Sequence, residues 1–183
     1  MHPEYFGDSY DLVKRNLLEI LKPLGDWSVH GMFSSAVSPE FVAAFERLLG
    51  ATVVSADSVP RFAKRRETHL ELANAFQHVL FDPDTGLRAK GSRKHLSLAE
   101  LAKLARARPA SLSAVYDQSL GFGKRESELR GKLSALGELG LDSFAYHSHA
   151  CFVFTSPSGS VLGSAREALL SSGLPASRLW AAA

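Results

Sequence analysis

A chain of 183 residues, 45% of them hydrophobic and 22% charged, is long enough to bury one core and too apolar for disorder. Its formal net charge of +2 is too small to imply a nucleic-acid partner through bulk charge, so only local clustering could serve one. The single cysteine, Cys151, excludes an internal disulfide and a cysteine-rich zinc site and fits a reducing cytoplasm. No apolar run reaches the ~18 residues of a membrane helix, and the start shows no signal-peptide pattern, so a cytoplasmic protein without a membrane segment is expected.

Helical spacing comes first: Val13, Leu17, Ile20, Leu21 and Leu24 recur at steps of three and four, opposite Lys14, Arg15, Glu19 and Lys22. Asp8 or Ser9 can cap this helix, and Pro23-Leu24-Gly25 closes it. A strand is expected over residues 27–33, then a loop of small residues over 34–37. Ser38-Pro39-Glu40 opens a second helix with a capping hydroxyl and a proline at the first helical position, and Gly50 ends it. Residues 51–55 read as a second strand, followed by Asp57, and residues 61–77 as a basic, helix-prone stretch.

His78-Val79-Leu80-Phe81-Asp82-Pro83-Asp84-Thr85-Gly86-Leu87 is the most informative run. Three apolar residues lead into an acid and then a turn, which reads as a buried strand delivering two carboxylates to its carboxyl end, where α/β proteins bind ligands. A strongly basic loop over 88–95 follows, then the capping box Ser97-Leu98-Ala99-Glu100, whose helix stops before Pro109. Residues 110–116 read as a strand ending in Asp117-Gln118. Gly121-Phe122-Gly123 leads to an amphipathic helix over 124–139, closed by Gly140. Strands over 143–147 and 150–156, a helix over 164–171 and a last strand over 177–180 complete the chain. The alternation predicts one doubly wound, Rossmann-like α/β domain over 1–183, its sheet mostly parallel with an antiparallel edge near the carboxyl terminus.

If consecutive strands are parallel, Asp57, Asp82 with Asp84, Asp117 with Gln118, and His147 with His149 share one sheet edge. Arg61, Lys64, Arg65 and Arg66, then Arg88, Lys90, Arg93 and Lys94, then Lys124 and Arg125, sort to that edge too. Acids at a cleft floor with cations on its rim suit an anionic substrate, nucleic acid or another phosphate-bearing one, and a site that handles protons or a metal. The bland account is that Asp favours turns and charge runs mark solvated faces. On a strand His147 and His149 would face one pocket, where either could act as metal ligand or general base; Cys151 reads as core. Asp8, Asp11, Lys14 and Arg15 recur at helical spacing, as a cap and ion pairs, or as groups that reach the cleft.

Asp11-Leu12-Val13-Lys14 before the first strand, Asp57 after the second, Asp82-Pro83-Asp84-Thr85 at a later strand end, and the paired strands at the carboxyl end together resemble Rossmann-like, S-adenosylmethionine-dependent methyltransferases, especially those acting on nucleic acid. The resemblance implies S-adenosylmethionine held by Gly31 and Asp57 and a hydrogen bond from the target nitrogen to Asp82; beside it, the residues themselves make Asp84 and His149 candidate catalytic groups and Arg65, Lys90, Arg93 and Lys94 candidate ligands of a substrate phosphate. The family's glycine-rich turn reads here His30-Gly31-Met32-Phe33-Ser34-Ser35. Its second proline and aromatic read Asp84 and Thr85, and one strand is not evident between Asp57 and Asp82. The Asp-Pro-Asp-x-Gly run also resembles small uncharacterised bacterial proteins that carry it. Two alternatives stand beside methyl transfer. One is a phosphoesterase or nuclease with Mg²⁺ or Mn²⁺ on Asp82 and Asp84. The other is a non-catalytic binding module on the same fold.

Overall fold

Asp8 opens the first helix: its carboxylate accepts the backbone N–H groups of Tyr10 and Asp11 at 2.8 and 3.1 Å, and α1 runs over Ser9–Leu21. The structure, a computed structural model, describes residues 3–121 and 124–181; Phe122 and Gly123 of the expected glycine turn lie outside the described residues. A 3-10 turn over Lys22–Leu24 carries α1 into β1, Trp27–His30. That strand is shorter than expected because Met32 adopts φ 42°, which turns the chain and sends Phe33 into the core. Ser38 caps α2, Pro39–Leu49, and Gly50 ends it in the left-handed conformation. β2 is only Thr52–Val53, and α3, Ala63–Glu71, gives way to a 3-10 turn over Leu72–Ala75 before β3, His78–Phe81.

The basic loop holds structure that the sequence pattern did not signal: β4, Gly86–Arg88, and β5, His95–Ser97, pair in parallel as a small separate sheet. The capping box is present at α4, Leu98–Arg106, where Ser97 and Glu100 bond each other's backbone N–H. β6 begins at Ser113 rather than 110, because Ser111 first closes a turn onto the Arg108 carbonyl; it runs Ser113–Tyr116. α5 is Arg125–Glu138, β7 Asp142–His147 and β8 Cys151–Ser156. α6, Gly159–Ser171, starts earlier than the expected 164 because the Ser158 hydroxyl accepts the Val161 N–H, and β9, Leu179–Ala181, ends the described chain.

The main sheet has the order β2-β1-β3-β6-β8-β7-β9. β2, β1, β3 and β6 pair in parallel; β8 enters antiparallel beside β6, β7 reverses again, and β9 pairs antiparallel with β7. This is a doubly wound, Rossmann-like sheet with an antiparallel edge. The strand implied between Asp57 and Asp82 is absent among the described residues, since that segment folds as α3 and its 3-10 turn and leaves β2 as the edge. One face packs Leu80, Ala114, Phe152 and Phe154 against α1, α2 and α6; the other packs Val79, Phe81, Val115 and Val153 against α3, α4 and α5. No helix among the described residues is long and apolar enough to cross a membrane.

Candidate functional site

α1 is joined to β1 by a short turn, so it runs antiparallel to β1 and its amino end reaches the edge of the sheet where β3 and β6 finish. Asp11 and Lys14 lie one turn apart on its buried face. The Lys14 ammonium sits between Asp11 Oδ1 at 3.0 Å and Asp82 Oδ2 at 2.7 Å, all three side chains being at most 5% exposed. The Gly7 N–H donates to Asp11 Oδ2 at 2.9 Å, and the Tyr116 ring lies 4.6 Å from the ammonium. Burial pulls the Lys14 pKa down, but the Asp82 and Asp11 carboxylates outweigh it and hold the lysine above its ordinary value. Lys14 is therefore a fixed cation and is not poised to act as a base or nucleophile.

Above this floor opens a cleft of about 480 Å³, walled by Tyr5, Asp8, Tyr10, Asp84, Lys94 and Gln118. The helix start and the Asp-Pro-Asp strand end thus meet in one place, and both Asp8 and Lys14 reach it. Asp84 is half-buried, 3.6 Å from a Lys94 ammonium that is 63% exposed. Tyr10 packs on Tyr116 with ring centroids 5.7 Å apart, and Gln118 donates to the Tyr116 hydroxyl, whose pKa burial pushes strongly up. A larger concavity of about 620 Å³ lies at the amino ends of β1 and β2, the edge opposite the one at which open α/β sheets bind ligands.

The other expected residues scatter. His147 and His149 do not share a strand face, because β7 ends at His147 and His149 lies in the turn beyond it. His147 stacks on Trp180 and His149 on Tyr10; both line a smaller cavity of about 250 Å³ beside the cleft, with Arg125 and Gln118. Asp117 is structural. It accepts the Leu87 and Ser119 N–H groups at 3.0 Å each and pairs with Lys132 at 2.5 Å. Of the expected phosphate ligands, Lys94 lines the cleft and Arg93 reaches across to the Ser34 carbonyl. Lys90 and Arg65 stand exposed beyond the cleft. Arg66, grouped with the rim in sequence, is buried on Glu100 and the His95 carbonyl. Gln118, expected at this edge, does line the cleft, whereas Tyr10 and Tyr116 escaped the sequence reading. The available signal was strand alternation, which turns Tyr116 toward α1 and Asp117 toward α5.

The residues assigned to S-adenosylmethionine do not gather into a site for it. A Cβ on Gly31 would meet the Phe33 ring at 2.5 Å, so the loop covers its own backbone with a side chain. Backbone bonds from Val37 to Ala56 and from Val59 to Phe33 stitch the loops after β1 and β2 together, and Asp57 points outward on the second of them. Neither Gly31 nor Asp57 lines the cleft. The acids fit a divalent metal no better, because the Lys14 ammonium already lies between Asp11 and Asp82, and no group of three or more metal-ligating side chains occurs among the described residues. Comparisons with protein-family models, with curated proteins and with solved structures give no match to this chain.

Proposed function

We propose that the chain recognises a nucleotide, taking an amine-bearing base into the cleft between α1 and the Asp82 strand end, on a methyltransferase-like arrangement of strands that does without the sulfonium cofactor. The observation that carries this reading is the lining of the cleft. Tyr5 and Tyr10 set aromatic side chains in its wall; Asp84, Asp8 and Gln118 offer acceptors; and Lys94 offers an exposed ammonium. An aromatic wall suits a base, carboxylate acceptors suit its exocyclic amine, and the ammonium suits its phosphate. Asp82 is held by Lys14 and shapes the floor, while Asp84 at the rim is the acceptor placed for the ligand.

Cytidine and uridine 5′-monophosphates test this directly, because they differ where an amine donor replaces a carbonyl acceptor. By calorimetric titration cytidine monophosphate should bind at least about tenfold tighter than uridine monophosphate, the scale of one discriminating hydrogen bond. Asp84→Asn should remove most of that difference. Equal affinities in the wild type, or a preference untouched by Asp84→Asn, would assign the cleft to another ligand.

A further inference from the structure

Two basic segments, residues 61–66 and 88–95, hold one large apolar side chain that the described residues leave largely uncovered. Phe62, 74% exposed, precedes α3 and stands among Arg61, Lys64 and Arg65. Arg61, Lys64, Arg65, Arg88 and Lys90 are all exposed, and among the described residues none of them forms an ion pair. The acids of α3 do not offset them, because Lys103 holds Glu67 at 2.5 Å and Glu71 at 2.6 Å. Arg66 joins the segments: its guanidinium donates to the His95 carbonyl at 2.8 Å, and its own backbone N–H bonds the Phe62 carbonyl at 2.9 Å. Lys94, beside His95, lines the cleft. The cleft, through Lys94, is thus tied by Arg66 to two segments that carry these five cations and an exposed aromatic ring.

We infer that these two segments form a strip that binds single-stranded nucleic acid, with Phe62 as a stacking platform one or more nucleotides away from the base held in the cleft. Unpaired cations along a path with an interleaved aromatic match a phosphate backbone whose bases are unstacked and available. A duplex keeps its bases stacked on one another and gives Phe62 no partner. The inference deepens the nucleotide reading, which it needs only for the cleft end of the strip.

The test is fluorescence anisotropy with labelled single-stranded DNA and RNA of about twelve nucleotides, over a salt series, beside a cytidine monophosphate titration. Phe62→Ala should weaken oligonucleotide binding about tenfold or more, leave the salt slope unchanged and leave the mononucleotide affinity unchanged. Lys64→Ala with Arg65→Ala and Lys90→Ala should lower the slope of log affinity against log salt by about two, from ~0.7 per phosphate contact. Oligonucleotide affinity no better than that of the mononucleotide, or unchanged in Phe62→Ala, overturns the strip while leaving the cleft reading standing. Phe62-dependent oligonucleotide binding without mononucleotide binding supports the strip and removes the cleft reading. Phe62-dependent binding to phosphatidylserine vesicles, with no oligonucleotide binding, assigns the surface to a membrane and overturns the proposal.

Discussion

Lys14 is the cation on which the cleft floor is built. Both of its carboxylate partners are buried, so removing the ammonium alone would leave two like charges facing each other out of water. Lys14→Met should cost about 3–5 kcal/mol in urea unfolding, the range for breaking a buried ion pair from one side. Replacing the cluster together, Lys14→Met with Asp11→Asn and Asp82→Asn, should recover most of that loss, because the costly step is the unpaired charge. A triple variant no more stable than the single one would mean that the cluster holds the chain by its geometry. The helical half of this cluster was legible in sequence, since Asp11 and Lys14 are spaced to meet on one helix face. Its third member was not, because Asp82 lies 68 residues away and only the packing of α1 over β3 brings it there.

Among the elements, the turn from β3 into β4 leaves no room for a side chain at its glycine. Gly86 takes φ +108°, and a Cβ there would run into Asp117 Oδ1 and lie 2.8 Å from the Gln118 backbone nitrogen. The glycine of the Asp-Pro-Asp-x-Gly run is thus required by the approach of β4 to β6. Gly86→Ala should cost about 2 kcal/mol or more, from backbone strain plus the lost fit to Asp117. It should also speed amide exchange at Leu87, whose N–H bonds Asp117, and weaken ligand binding, since Asp84 and Thr85 belong to the same turn. Exchange at Leu87 as slow as in the wild type would show that the turn relaxes around the new methyl group. Helices were easier to place from sequence than strands, because Asp8, Ser38 and Ser97 each announce a start through a local capping bond. Strand ends such as that of β1 depend on Met32 turning the chain, and β4 and β5 are too short to show a period of two.

Across the whole molecule, the histidines set how stability responds to acid. Burial, with a smaller contribution from His69, holds His30 down to about 3, and burial is the first cause of the depressed values at His69, His78, His95 and His147. In the unfolded chain these imidazoles take up protons near pH 6.5, so below that the unfolded state binds more protons and stability falls as pH falls. Glu100 acts in the same direction lower down. Burial would raise its carboxyl, but bonds from Arg66 and the Ser97 N–H hold it below the usual carboxylate range. Lys14, raised above its ordinary value, contributes fully at these pH values and loses its contribution only when alkali titrates it. The urea midpoint should therefore form a plateau from about pH 7 to 10 and decline steadily from about pH 6.5 towards 3. His30 supplies the longest part of that decline, up to ~1.4 kcal/mol per pH unit once its unfolded form is charged. His30→Phe keeps a ring against Phe81, which stacks on His30 at 5.8 Å, but removes the acceptor for the Met32 N–H at 3.3 Å. It should lower the plateau and flatten the acid limb. An acid limb as steep as that of the wild type would place the acid sensitivity in the carboxylates.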